Sequence, residues 1–77
     1  MPNKVDLSDL AKRWPSSIVS RQQSKNFTGG AISEKYLANL DSQGAGPPGR
    51  FKIGGRVVYP VDSFVRWLEA RSSRGEE

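Results

Sequence analysis

Two adjacent glycines, Gly54 and Gly55, stand between Phe51-Lys52-Ile53 and Val57-Val58-Tyr59, and no other feature constrains the chain as strongly. Neighbouring glycines accept positive φ at both central positions of a turn, so they favour a tight reversal between antiparallel strands. The flanking runs are β-branched or aromatic, and the first alternates apolar with polar. Pro47, Pro48 and Gly49 precede them and Pro60 comes after. The expectation is a β-hairpin within residues 46–60 that carries Arg50, Lys52 and Arg56. Two registers fit. A two-residue loop pairs Ile53 with Arg56 and sets Phe51, Ile53 and Val58 on one face, whereas a three-residue loop groups Phe51, Ile53, Val57 and Tyr59 and buries more. Both leave Gly54-Gly55 at an exposed tip, with Arg56 beside it and Lys52 nearby.

A chain of 77 residues makes one small domain that buries only about 60% of its unfolded surface, so the core must be compact and hold most of the aromatics. A large enclosed cleft is not expected. The sequence has neither cysteine nor histidine, which removes disulfides, thiolate chemistry and nearly every transition-metal site. No apolar run approaches a signal peptide or a membrane span. The expectation is a soluble, cytoplasmic protein that needs no cofactor and touches no membrane.

Charge is unevenly placed. Between Arg21 and Arg56 stand Arg21, Lys25, Lys35, Arg50, Lys52 and Arg56 against only Glu34 and Asp41, so this middle segment carries the whole net charge of +4. Uniform solubilisation would not concentrate the excess, whereas a middle that faces a polyanion between neutral packing elements would.

The rest of the chain reads as helices. In "VDLSDLAKRW", Leu7, Leu10, Ala11 and Trp14 share one helical face, with Asp6 or Ser8 as N-cap and Pro15 as the stop. In "SSIVSRQQSKNFTGG", Ser20 and Gln23 have capping-box spacing and Gly29-Gly30 would end a second helix running through Phe27. "ISEKYLANLDSQG" predicts a third helix of about nine residues, capped by Ser33, stapled by Ile32 and Leu37, and stopped by Gly44. Its Leu37 and Leu40 face inward and leave Lys35, Tyr36 and Asn39 outside. "VDSFVRWLEAR" closes the fold with Val61, Phe64, Val65 and Leu68 on one stripe and Trp67 beside it. Residues 72–77 read as a flexible tail.

Three helices, a hairpin and a closing helix, with a basic middle, match a mainly helical winged helix-turn-helix over residues 5–71. Taken singly, Gly54-Gly55 is a hairpin turn, Arg56 a solvated charge, and Lys35 with Asn39 an exposed helix face. The combination of a capped short helix, a glycine-tipped cationic wing and a charge excess confined to them favours nucleic-acid binding. Catalysis is not expected, because Asp6, Asp9, Asp41 and Asp62 fall at helix termini or on exposed faces and form no pair fixed in a cleft. A protein-interaction adaptor that docks a recombinase or polymerase subunit is the alternative. Single-stranded binding is weakened because most aromatics fall on core stripes.

The stretch "GPPGRFKIGGRVVYPVDSFVRWLEAR" resembles the C-terminal part of the excisionase and AlpA-like family, small DNA-binding proteins of phages and mobile elements related to MerR-type winged helices. The likeness rests on a G-P start, an aromatic-K-I-G-x-R-V-x-Y hairpin and D-x-x-x-x-W-L; upstream, "LAKRW" resembles the family's first helix and "SEKYLANLDSQG" its recognition helix. The resemblance implies binding to short, repeated double-stranded DNA sites, either as a recombination directionality factor beside a tyrosine recombinase or as a transcriptional regulator of the element. It also implies self-association on those sites and residence at the bacterial nucleoid. By position, it implies DNA contacts from the helix of Ser33 to Asn39, with Lys35, Tyr36 and Asn39 at bases or phosphates, and from the wing with Arg50, Lys52, Gly54, Gly55 and Arg56. Arg21 and Lys25 are further candidates. They lie in residues 15–32, where the simplest members have a very short turn, so the geometry of this segment is left open.

Overall fold

The computed structural model describes residues 5–72. Past Ser72, the tail expected over residues 72–77 lies outside the described residues. The chain forms helix α1 (Ser8–Arg13), strand β1 (Ile18–Ser20), a 3-10 turn (Arg21–Gln23) running into helix α2 (Ser24–Phe27), helix α3 (Glu34–Ser42), strands β2 (Phe51–Ile53) and β3 (Arg56–Pro60), and helix α4 (Val61–Arg71). The strands make one antiparallel sheet in the order β1-β3-β2. The architecture is therefore α+β, with four helices around a three-stranded sheet, rather than helices carrying only a two-stranded hairpin.

The extra strand is the main departure from the sequence reading. Ile18 and Val19, placed ahead of a helix by local pattern, extend instead and pair Ile18 with Pro60, Val19 with Tyr59 and Ser20 with Val58. Both residues are β-branched, which suits a strand. Their partner is some forty residues away, so no local pattern displays the pairing. Around them, the Trp14 indole N–H donates to the Ile18 carbonyl at 2.9 Å and the Val61 N–H donates to the Ser17 carbonyl at 2.9 Å. Ser20 still caps the 3-10 turn, since its Oγ accepts from the Gln23 N–H at 3.2 Å.

α1 is shorter than its apolar stripe. Trp14 is already extended at φ −86°, ψ 131°, as the residue before a proline prefers. Neither Asp6 nor Ser8 occupies the N-cap position, yet Asp6 does cap a free amide there, its Oδ1 accepting from the Ser8 N–H at 2.9 Å. Leu7 occupies that position without a side-chain bond, and its N–H donates to Glu69 Oε2 at 2.7 Å, which ties α1 to α4.

α3 begins and ends as its sequence dictates. Ser33 Oγ accepts from the Tyr36 N–H at 3.1 Å. At the other end the Ala45 N–H reaches the Leu40 carbonyl at 2.9 Å and the Gly44 N–H reaches the Asp41 carbonyl at 3.1 Å, a Schellman-like closure of the free carbonyls. Leu37 and Leu40 are buried. They join Val19, Phe27, Tyr59, Val61, Phe64, Val65 and Leu68 inside. Trp14 and Phe27 meet edge-on at 5.1 Å, and Phe64 lies within 5.3–5.8 Å of Phe27, Tyr59 and Trp67. Trp67 is at the rim of this core and not within it, half-buried, with its indole N–H donated to the Ala45 carbonyl at 3.0 Å.

Of the two hairpin registers, the two-residue turn is the one formed: Ile53 pairs with Arg56, Lys52 with Val57 and Phe51 with Val58. Gly54 and Gly55 both take positive φ, +55° and +91°, as a turn of this kind requires. The register turns Val57 and Tyr59 toward the core and leaves Phe51 and Ile53 exposed on the opposite face.

Candidate nucleic-acid interface

The outward surface of α3 comes from its helical period. Leu37, Leu40 and Asp41 point inward, so Lys35, Asn39 and Ser42 form the opposite stripe, all exposed. Tyr36 stands at one edge of that stripe, 41% exposed, where its hydroxyl accepts from Arg71 Nη2 at 3.2 Å. Arg71 also lies over the Trp67 ring at 4.9 Å. Sequence reasoning assigned Arg71 no role. Its spacing of four from Trp67 shows that those two meet, but its bond to α3 depends on how the helices pack.

At the other edge, Glu34 faces the hairpin tip. Arg21, Gln22, Glu34, Gly55, Arg56 and Val57 line one open cavity of about 150 Å³. The fold thus brings the start of α3, the start of the 3-10 turn and the tip of the hairpin to one place. A side chain added at Gly54 or Gly55 would meet no atom within 4 Å, so the tip stands clear of the protein. Lys52 is exposed on β2 and Lys25 on α2. Among the described residues, no ion pair engages Lys25, Lys35, Lys52 or Arg56. Ser33 is occupied as the cap of α3.

Arg21 and Arg50 are placed differently from those free cations. Arg21 Nη2 donates to Asp41 Oδ2 at 2.6 Å and its Nε to the Tyr59 hydroxyl at 3.1 Å, while Tyr59 donates to the same Asp41 oxygen at 2.5 Å. Arg50 approaches the other oxygen, Asp41 Oδ1, at 3.8 Å. Asp41 stands at the end of α3, as its sequence position suggested, but it is not solvated there. It is 6% exposed and joins α3, the 3-10 turn and β3 in one buried network. Its Oδ1 has no hydrogen-bond partner, and a Cβ at position 46 would collide with it, so Gly46 is the residue that lets the loop pass there. Burial, reinforced by the bond to Asp41, pushes the Tyr59 phenol up to about 12. The bond to Tyr59, with Asp41 as a further partner, raises Arg21 above its ordinary value.

The arrangement presents an exposed helix face with amide and ammonium groups and, across the cavity at the start of that helix, a cationic hairpin whose two tip glycines have open space where a side chain would stand. Such a surface can donate hydrogen bonds and neutralise anions. No helix among the described residues is long and apolar enough to cross a membrane. Comparison with protein-family models, with curated proteins and with solved structures gave no match.

Proposed function

We propose that the protein binds double-stranded DNA as a winged helix-turn-helix, with α3 in the major groove and the β2–β3 hairpin as a wing on neighbouring phosphates or the minor groove. The observation that carries this reading is that Lys35 and Asn39 on α3 and Lys52 and Arg56 on the hairpin are all exposed, without internal ion partners for the cations among the described residues, while one open cavity joins the start of α3 to the hairpin tip. The order α1-β1-α2-α3-β2-β3, with β1 against β3, supports it, because that pairing anchors the base of a wing beside the helix pair. Residues 28–33 join α2 to α3, a longer link than the turn of about three to four residues usual in the motif. The resemblance to excisionase and AlpA-like proteins gives the finer reading: a non-catalytic factor that organises DNA beside a recombinase, or regulates a mobile element's transcription.

Selection of duplexes from a random pool, with affinity then measured across salt concentration, tests the proposal. A selected duplex should bind more tightly than random duplex, with log affinity falling linearly against log salt. Asn39→Ala should cost about 1–3 kcal/mol on the selected duplex and leave random duplex nearly unchanged, as loss of a base-edge contact does. Failure to enrich or bind any duplex overturns the reading and leaves the adaptor function in its place.

A further inference from the structure

Among the described residues, the large apolar side chains left exposed are Tyr36, Phe51 and Ile53, at 41%, 45% and 52%. Two of the three have protein neighbours that account for them. Tyr36 is bonded to Arg71. Phe51 lies opposite the buried Val58 and borders a groove with Ile18 and Pro60. Ile53 differs: it is the last strand residue before the turn, its cross-strand partner is Arg56, and the next two residues are glycines that stand clear of the protein. A threonine would serve the strand as well as isoleucine does. An aliphatic side chain held in water at a hairpin tip contributes nothing to the core.

Resting on the DNA-binding reading, we infer that Ile53 is an apolar wedge which the hairpin tip inserts at a base step of the minor groove, bending the duplex. Charge decides what the occupant is. Arg56 shares the face of Ile53, Lys52 points from the other face of the same strand, and neither has an ion pair among the described residues. An apolar protein pocket that received Ile53 would strip water from the Arg56 guanidinium on the same face without compensation, which is costly. The minor groove supplies negative potential for the cations and stacked base faces for the aliphatic group at the same place. Gly54 and Gly55, without side chains, let the backbone turn enter a groove only about 6 Å wide. The wedge and the cations therefore divide the work: Arg56 and Lys52 supply attraction, and Ile53 parts the bases.

The test uses the full chain and a duplex enriched from a random pool, carrying 2-aminopurine at successive positions, with bending read by energy transfer between the duplex ends. The wild-type protein should raise 2-aminopurine fluorescence several-fold at one step and bend the duplex by roughly 20–90°, the range of side-chain wedges. Ile53→Thr keeps the β-branch and the strand. It should abolish the fluorescence rise and most of the bend, with an unchanged salt slope, while Ile53→Val retains a large part of both. Arg56→Ala should weaken binding yet preserve the fluorescence rise at saturation. A bound duplex with no unstacked step, or Ile53→Thr bending as the wild type does, overturns the wedge and leaves DNA binding intact. Enrichment of no duplex overturns both readings together.

Discussion

Arg21 and Arg56 begin from similar sequence surroundings and end in opposite roles. Each is a cation beside a β-branched run, Ile18-Val19 before the one and Val57-Val58 after the other. Arg21 turns inward to share Asp41 with Tyr59, whereas Arg56 stands at the hairpin tip with no ion pair among the described residues. The difference lies in what the fold delivers to each. α3 places a buried carboxylate in reach of Arg21, and no described element pairs one with Arg56. A tally of charge therefore measures the candidates for anion contact, and only packing separates those already committed to the protein from those left for a partner.

The strongest way to break this comparison is to remove the acceptor. Asp41→Ala leaves the Arg21 guanidinium and the Tyr59 hydroxyl without their shared oxygen in a largely buried place, and should cost about 3–5 kcal/mol. That loss is most of the stability available to a small domain. Urea titration monitored by circular dichroism measures it. A cost below about 1 kcal/mol would be that of an exposed pair, and Arg21 would then rank with Arg56 as an available cation.

The same network has a pH signature. Tyr59 is pushed up to about 12 in the folded protein from an ordinary value of 10.0. Between those values the folded state holds a proton that the unfolded state has lost, so stability falls as pH rises. The contribution is fully present below pH 10 and disappears as pH passes through about 12. The decline assigned to this one group is on the order of 2 kcal/mol. Unfolding curves across that window, compared with Tyr59→Phe, isolate it from the lysines that titrate nearby. A variant whose stability falls as steeply as the wild type's would show that the phenol does not carry the effect.

How much the sequence discloses depends on the range of the interactions that decide each element. The cap at Ser33, the stop at Gly44 and the turn at Gly54-Gly55 are settled within a few residues, and all three stand where local chemistry puts them. The inward placement of Leu37, Leu40, Phe64 and Leu68 comes equally from helical period. β1 was illegible because its hydrogen bonds run to β3, far along the chain. Asp41 was illegible for a related reason. In the last turn of α3 and near Gly44, it looks like a solvated helix end, and only the arrival of Arg21 and Tyr59 makes it an interior group. The outward set of Lys35, Asn39, Lys52 and Arg56 was found from pattern, but its separation from Arg21 and Arg50 depends on where tertiary packing carries Asp41.

On stability, the smallest effect belongs to Arg56, and its smallness sharpens the contrast with Asp41. Arg56 is exposed and has no ion pair among the described residues, so Arg56→Ala should change unfolding by no more than about 0.5 kcal/mol. Its effect should emerge instead in binding. Removing one phosphate contact lowers the magnitude of the slope of log affinity against log salt by about one unit, and weakens selected and random duplex by a similar factor. Lys12→Ala is the control, since Lys12 is exposed on α1 and lies 4.0 Å from Asp9; it should leave the slope unchanged. Arg71 would serve less well, because it touches Tyr36 at the edge of α3. An Arg56→Ala protein with wild-type stability and a wild-type salt slope would mean that the hairpin cations only solvate the tip. The free arginine and the buried one would then differ in packing alone, with no consequence for a polyanionic partner.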